Sequence, residues 1–359
     1  MLTVIVSVLV FGFLIFIHEF GHYIFARIFK VTIEEFSIGM GPRLFSWQSK
    51  KTGIKYSVAL LPIGGFVAMP GENGEYNDNA GEGEDDPYRD DPNTFGKKPA
   101  WQRFIITVAG ATINIVAGFL AMILLTGLVK IGNTEVAAYH TAESLGMEPT
   151  SMNYGLKEGD VVLEIDGKKV RIYDELSYEI MRRGNEPVDV LVMRNGEELL
   201  VENVQFPLVT EQDQSFGMLD FKVREVKKSF GKVMQFSWRK STLIVRMVWE
   251  SLYDLISGRY SFGAVSGPVG ISSAIGSAAK AGFTSLLYIT VLISINLGVM
   301  NLLPIPALDG GRLFMILIEM ITRKKLPAKV EGIINGVGFI LLIGLSIVIL
   351  VKDTFTLIF

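Results

Sequence analysis

Four long apolar segments limit what this chain can fold into. They lie at residues 2–29, 104–129, 283–303 and 333–351. Each could form a helix that crosses the hydrocarbon core of a bilayer, which takes about 20 residues. Polar stretches separate them, so 49% of the residues are hydrophobic while 20% carry charge. We therefore expect an α-helical polytopic membrane protein with about four transmembrane helices.

The first apolar segment could instead be a secretory signal peptide. A signal peptide begins with basic residues and ends at a cleavage site of small residues. Here the segment starts without a basic residue and runs into His18 and Glu19. We therefore expect residues 2–29 to remain in the protein as its first transmembrane helix.

Lysine and arginine are concentrated in two connections, residues 31–103 and the short stretch between the third and fourth apolar segments. Basic residues in short loops mark the cytoplasmic side of a membrane protein. We therefore expect both connections to be cytoplasmic. The N-terminus, the C-terminus and residues 131–280 then lie on the opposite side. The net charge of −3 gives no basic field that would favour nucleic acid.

The polar stretches have different characters. Residues 55–69 are typical of strand, turn and strand, which predicts a membrane-associated β-hairpin. Residues 72–91 are acidic and predict a solvated, flexible loop. Residues 135–224 have the composition of a small soluble α+β domain. Residues 228–258 alternate apolar and charged groups, which predicts an amphipathic helix on the membrane surface.

Residues 155–167 carry a recognisable signature within the soluble stretch. They read Gly-Leu-Lys-Glu-Gly-Asp-Val-Val-Leu-Glu-Ile-Asp-Gly. This pattern resembles the G-L-x-x-G-D-x-I-x-x-I-x-G signature of PDZ domains, which bind an extended peptide by adding it to a sheet edge. Tyr154 stands where a small residue is usual. A small sheet domain that binds no peptide is the alternative.

Two histidines and a glutamate stand at the end of the first apolar segment. His18-Glu19-Phe20-Gly21-His22 is an H-E-x-x-H motif, in which residues four apart share one helix face. Ionisable groups within a membrane span are costly and indicate a functional site. The chain contains no cysteine, so a metal must be held by histidine, aspartate or glutamate. This motif predicts a zinc site with Glu19 as general base.

Catalytic zinc usually takes three protein ligands. The third could be His140, but that residue is expected on the opposite side of the membrane. Asp309 is the better candidate, because it follows the third apolar segment at the depth of His18 and His22. Prolines and glycines make residues 301–311 non-helical, and such backbone is tolerated only where it lines protein or a wet cavity. Asp309 could alternatively cap the helix that follows.

These motifs together resemble the site-2 protease family. H-E-F-G-H in the first span, N-x-x-P-x-x-x-L-D-G-G at residues 301–311, and a PDZ-like domain between the second and third spans match the bacterial RseP-type branch with one PDZ domain. The resemblance covers nearly the whole chain. It implies a multi-pass protein of a bacterial plasma membrane, with the active site toward the cytoplasm and the PDZ-like domain outside.

The resemblance implies roles for particular residues. His18, His22 and Asp309 would bind Zn²⁺, and Glu19 would be the catalytic base. Substrate would be bound by residues near the site; the candidates are Asn301, Asn114, Gly64, Gly65 and Phe66. The family's A-G-P-x-x-N motif here lacks its proline but keeps Asn114, whose alternative role is a hydrogen bond between helices.

The resemblance also divides the chain and names its partners. Residues 1–130 would be the N-terminal catalytic part, 135–224 the PDZ-like domain and 283–359 the C-terminal membrane part. Substrates would be single-pass membrane proteins, such as anti-sigma factors or remnant signal peptides, with a peptide or processed tail at the PDZ-like domain. The rival interpretations are a catalytically silent membrane scaffold and a metal transporter. The presence of Glu19 favours the hydrolase.

Overall fold

Long helices are the main elements of the fold. The computed structural model of the chain describes residues 2–72, 88, 90–211, 214–259 and 265–358. The helices of eight or more residues are α1 Leu2–Ile28, α2 Ala100–Leu128, α4 Tyr173–Arg183, α5 Phe230–Ile256, α6 Pro268–Ala281, α7 Phe283–Asn301, α8 Asp309–Thr322 and α9 Ala328–Ile358. A single turn, α3, covers Ala142–Leu145, and 3-10 turns cover Phe95–Lys97 and Ser151–Tyr154.

Four helices in the described part of the chain are long and apolar enough to cross a membrane. They span Leu2–Ile28, Ala100–Leu128, Phe283–Asn301 and Lys329–Phe355. This number confirms the four spans expected from the sequence. Each span is one continuous helix, because in lipid every backbone polar group must find its partner within the segment.

Within the described residues, the strands form three sheets. They are β1 Glu35–Gln48, β2 Lys55–Ala68, β3 Gly132–Tyr139, β4 Val161–Ile165, β5 Lys168–Lys169, β6 Val188–Arg194, β7 Glu197–Val204, β8 Leu208–Glu211, β9 Gln214–Gly217 and β10 Phe221–Glu225. The chain divides into two compact units. The first comprises residues 1–121 and 248–359, and the second comprises residues 122–247.

In the first unit, β1 and β2 each bend and contribute two segments to one sheet. Residues 35–38 pair in parallel with 55–58 on one side and antiparallel with 65–68 on the other. Residues 43–48 pair antiparallel with 55–59, which leaves 65–68 at an edge. The hairpin pairing predicted within 55–69 is therefore wrong. Its two arms do not pair with each other, because a strand segment from β1 lies between them.

A buried carboxylate fixes this double bend. Glu35 is 6% exposed and receives two hydrogen bonds from Arg43, at 2.9 and 2.6 Å, and one from the Ser57 hydroxyl at 2.5 Å. Burial alone would raise the pKa of Glu35, but these hydrogen bonds outweigh burial and hold the pKa below its ordinary value. The ionised carboxylate thus joins both segments of β1 to β2.

Helix α6 was not predicted from the sequence. It packs along the N-terminal half of α1, where Ser272 donates a hydrogen bond to Ser7 at 2.8 Å. A Cβ at Gly276 would lie 2.4 Å from the methyl group of Thr3, so only glycine fits at this contact. Small residues let helices in lipid approach closely. The sequence signal was the four-residue spacing of Ser272 and Gly276.

The second unit is built on a five-strand antiparallel path in the order β10-β3-β4-β6-β7, with β5 beside β4. Helix α4 covers this sheet and buries Leu176 and Ile180 completely. Helix α5 contributes basic residues to α4: Lys240 lies 3.0 Å from Asp174, and Arg246 lies 2.6 Å from Glu179. These basic side chains of α5 therefore face α4.

The acidic segment predicted as a flexible loop, residues 72–91, falls mostly outside the described residues. Its first residue, Glu72, is described and contacts α8.

Candidate metal centre

Three ligand atoms from α1 and α8 meet at one point. The Nε2 atoms of His18 and His22 lie 3.3 Å apart. Oδ2 of Asp309 lies 3.1 Å from Nε2 of His18 and 3.3 Å from Nε2 of His22. Among the described residues, these three form the group of side chains arranged to hold a metal ion. His140, the alternative third ligand, does not belong to it.

The triangle has the dimensions of a zinc site. Zinc binds histidine nitrogen and carboxylate oxygen at about 2.0–2.2 Å, so two ligand atoms of a tetrahedral site stand about 3.3 Å apart. Oδ2 of Asp309 is buried and has no hydrogen-bond partner among the described residues. A buried carboxylate oxygen without a donor is costly unless a cation compensates it. The three residues therefore fit a divalent metal such as zinc.

The hydrogen bond made by Nδ1 of His22 determines which ring nitrogen is free to bind a metal. Nδ1 of His22 lies 2.9 Å from the backbone oxygen of Ile106 on α2. A carbonyl oxygen only accepts hydrogen bonds, so Nδ1 carries the proton and Nε2 of the neutral ring presents a lone pair. Metal-binding histidines typically have such a partner, which fixes both tautomer and ring orientation.

Close contact between α1 and α2 brings His22 against the backbone oxygen of Ile106. A Cβ at Gly110 would lie 2.2 Å from Nε2 of His22, and a Cβ at Gly21 would lie 2.7 Å from the backbone oxygen of Ala109. Neither position has room for a side chain. Both glycines lie within sequence motifs, but the motifs predict no role for them. Their spacing on separate helices gives no signal until the helices are packed together.

Helix α8 delivers Asp309. The helix begins at Asp309 itself, and its N-cap is Leu308, so the aspartate is not the cap considered from the sequence. A Cβ at Gly310 would lie 1.9 Å from the backbone oxygen of Leu303, and a Cβ at Gly311 would lie 2.5 Å from that of Ile305. The two glycines let the start of α8 pack on the irregular backbone before it, which directs the Asp309 carboxylate inward.

Glu19 lies beside the edge of the β-sheet. It is half-buried and interacts electrostatically with His22, His18 and Asp309. A Cβ at Gly65 on β2 would lie 2.8 Å from Cγ of Glu19, so the strand backbone packs against this side chain. The edge segment 65–68 thus borders the candidate centre.

Arg312 and Glu72 form an ion pair near Asp309. Arg312, one turn along α8, contacts the carboxylate of Glu72. Together with Asp309, Asn335 and Phe339, Arg312 lines a cavity of about 410 Å³. Burial by itself would lower the pKa of Arg312, but Glu72 and Asp309 outweigh burial and raise it. The arginine therefore remains cationic next to the centre.

The remaining predicted site residues occupy different positions. Asn114 is completely buried, with its amide nitrogen 3.3 Å from Nδ1 of His18. Asn301 is half-buried and ends α7. Gly64 adopts a left-handed φ of 78°, and Phe66 is 38% exposed beside it on β2. Substrate binding by these residues stays a prediction.

An H-E-x-x-H helix, an aspartate from a distant helix and four apolar spans define the class of membrane-embedded metalloproteases. Residues 6–345 match the profile of peptidase family M50. The chain belongs to this family, the site-2 proteases, and is a zinc metalloprotease. It is a multi-pass membrane protein.

Curated relatives extend over nearly the whole chain. A protein of Fusobacterium nucleatum is 36% identical and covers 99% of both chains. A protein of Clostridium acetobutylicum is 34% identical over 98% of this chain and 97% of its own length. The names of both relatives describe them as zinc metalloproteases. The regulator of sigma-W protease RasP of Bacillus subtilis is 27% identical and covers 98% of both chains.

The contact at Gly110 gives a direct test of the helix packing. In Gly110→Ala the new methyl group would overlap the His22 ring, so we expect loss of bound zinc and of at least 90% of proteolysis, about the effect of misplacing one ligand. Metal analysis and a cleavage assay on detergent-purified protein measure both. Gly127→Ala, on the same helix, is the matched control, because a Cβ at Gly127 would have no described atom within 4 Å apart from its own helix backbone. Equal zinc content in both variants would contradict the packing.

Proposed function

We propose that His18, His22 and Asp309 hold the zinc ion of this protease and that Glu19 is its general base. The enzyme then hydrolyses peptide bonds of transmembrane substrates within or beside the bilayer. The observation that carries the proposal is the triangle of ligand atoms, with edges of 3.1–3.3 Å, formed within apolar helices. Asn301 and the edge of β2 lie in the segments proposed to bind the substrate.

The chain's own residues divide the reaction between them. Zinc, when bound, polarises a carbonyl oxygen and makes water a nucleophile at neutral pH. His18, His22 and Asp309 fix its position. A carboxylate oxygen of Glu19 takes the proton of the attacking water and later delivers it to the amine nitrogen of the leaving peptide. The surrounding apolar helices limit access of bulk water.

Removing the base should separate chemistry from metal binding. In Glu19→Gln we expect cleavage to fall about 10²–10⁴-fold, the usual contribution of a general base, while zinc content stays at the wild-type level. In His18→Ala and Asp309→Ala we expect both to be lost. Unchanged cleavage by Glu19→Gln would overturn the proposed role of Glu19 as general base.

A helical substrate must unwind before it is cut. The carbonyl groups of a transmembrane helix are already hydrogen-bonded, and the scissile carbonyl must be freed for attack. The edge segment 65–68 borders Glu19 and could take the unwound substrate as an added strand. The substrates would be single-pass membrane proteins such as anti-sigma factors, which the name of the Bacillus subtilis relative supports, or remnant signal peptides.

Proline substitutions can test this strand addition. Successive N–H groups of a strand point to opposite edges, so one of Phe66 and Val67 donates toward β1 and the other toward the open side. We expect the proline that removes the open-side donor to raise KM for a membrane substrate, with zinc content and thermal stability kept. Phe66→Ala and Val67→Ala control for loss of the side chain. If both proline variants keep their zinc and thermal stability and cleave with a normal KM, strand addition is excluded.

The second unit, within which residues 135–224 form the PDZ-like domain, is proposed to lie outside the cytoplasm. The distribution of basic residues in the membrane connections supports this orientation. The signature residues behave as a structural motif: Gly155 and Gly159 take positive φ values of 99° and 90°, and Asp160 receives two hydrogen bonds from Arg194 at 2.7 Å. Trp238, 62% exposed on α5, supports contact of that amphipathic helix with the membrane surface.

Such a domain could bind a peptide or processed tail and exclude substrates that still carry a large external part. Its termini suit a clean deletion, because Glu135 and Arg224 form an ion pair at 2.7 Å on adjacent strands. We expect deletion of residues 136–224 to increase cleavage of an untrimmed substrate several-fold relative to a trimmed one, since a steric barrier is removed. A cleavage assay with both substrates measures this ratio, and an unchanged ratio would rule out the size filter.

A further inference from the structure

Nδ1 of His18, the ring nitrogen that does not face Asp309, needs a hydrogen-bond acceptor. Nε2 of His18 faces Asp309 and His22, at 3.1 and 3.3 Å, so this atom is the one that would ligate zinc. A neutral imidazole that presents its lone pair on Nε2 carries its proton on Nδ1. The group next to Nδ1 therefore has to accept a hydrogen bond for the ring to be held in this tautomer.

The group at that position is the amide of Asn114. Its nitrogen lies 3.3 Å from Nδ1 of His18, whereas its oxygen is buried with no hydrogen-bond partner among the described residues. Amide oxygen and nitrogen are nearly equal in size, so the hydrogen-bonding partners decide which of them faces the ring. Rotating the amide by 180° replaces a contact between two donors with an N–H···O hydrogen bond. The oxygen then has the partner it lacked.

Helix geometry explains why α2 uses a backbone group for one histidine and a side chain for the other. The carbonyl of residue i in a helix points toward residue i+4. Gly110 has no side chain, so the oxygen of Ile106 stays open to His22. Asn114 stands four residues after Gly110, where the chain carries a side chain instead of a glycine. The group next to Nδ1 of His18 is therefore a side chain, the Asn114 amide.

Asn114 is also held firmly in place. The residue is 0% exposed, and its backbone oxygen accepts a hydrogen bond from the Ser294 hydroxyl of α7 at 2.8 Å. A residue so enclosed, with its amide against an imidazole, is placed to orient that imidazole. This position suits a fixed partner of His18 better than a group that contacts substrate.

We propose that Asn114 is a positioning residue whose amide oxygen accepts a hydrogen bond from Nδ1 of His18 and holds that ring in the orientation that ligates zinc. The inference rests on the proposed function, because it takes His18 as a zinc ligand. Helix α2 then supplies the acceptor for Nδ1 of both histidines. The Ile106 carbonyl accepts from His22, and the Asn114 amide accepts from His18.

Three variants separate orientation of His18 from simple packing. Asn114→Leu keeps the size of the side chain and removes the acceptor. Asn114→Asp restores an acceptor, since carboxylates are common partners of zinc-bound histidines. Ser294→Ala is the matched control: it removes a buried hydrogen bond to Asn114 but leaves the amide intact. Asn114→Ala, which cannot overpack the site, replaces Asn114→Leu if the latter does not fold.

Zinc affinity of the full-length protein in detergent, measured by competition with a chelator, is the main readout. We expect Asn114→Leu to raise the Kd for zinc about 10–100-fold, the usual cost of losing such a partner. Asn114→Asp and Ser294→Ala should stay within about threefold of wild type, well below that cost. The visible spectrum of the Co²⁺-loaded protein should change in Asn114→Leu and be restored in Asn114→Asp. Thermal unfolding reports any general loss of stability.

The outcomes are distinguishable. Wild-type zinc affinity in Asn114→Leu, or an Asn114→Asp variant as weak as Asn114→Leu, overturns the proposed role of Asn114. A His18→Ala variant that binds zinc as tightly as wild type overturns the proposed metal centre itself. Loss of zinc in His18→Ala together with normal affinity in Asn114→Leu overturns only the inference about Asn114.

Discussion

At Gly21 and Gly110, α1 and α2 touch through backbone atoms and the imidazole of His22. Because both positions are glycine, α1 approaches α2 closely enough for His22 to contact the oxygen of Ile106. One turn earlier on α1, His18 then faces Asn114. The residues of α2 that serve this contact, 106, 110 and 114, repeat every four positions and so lie on one helix face. The orientation of both imidazoles is thus a property of the helix pair.

Asp309, the proposed third ligand, depends on a second set of backbone contacts. Gly310 and Gly311 pack against the carbonyl oxygens of Leu303 and Ile305, so the start of α8 cannot shift without a steric clash. Short-range packing of this kind is stiff, because interiors are close-packed and have little free volume. Two closely packed substructures therefore meet at the ligand atoms. One is the α1–α2 pair, and the other is the connection from α7 to α8 with the first turn of α8. A metal centre that must hold three atoms within about 0.5 Å of the right geometry needs such support.

Much of this architecture could be predicted from the sequence, and the failures have physical causes. Long apolar runs identify spanning helices because the bilayer requires them, and the four-residue spacing of His18 and His22 needs only the helix period. The pairing of β1 with both arms of β2 could not be foreseen, since strand order depends on tertiary contacts. Helix α6 was missed because small residues give little hydropathy signal. The importance of Gly110 emerged only once His22 was placed against it.

The charges at the centre suggest how zinc and the fold depend on each other. Asp309 and Glu19 bring two carboxylates into apolar surroundings, and the neighbouring pair of Arg312 and Glu72 is neutral as a unit. With both imidazoles neutral, as the proposed zinc ligands require, the carboxylates leave a net charge of −2, which a Zn²⁺ ion would cancel. An uncompensated charge in a low-dielectric interior costs several kcal/mol, roughly the penalty that removal of one partner from a buried pair imposes. In the proposed centre, zinc binding is therefore coupled to the stability of the helix packing around it, and the same carboxylates that would create the affinity for the ion would make its absence costly for the fold.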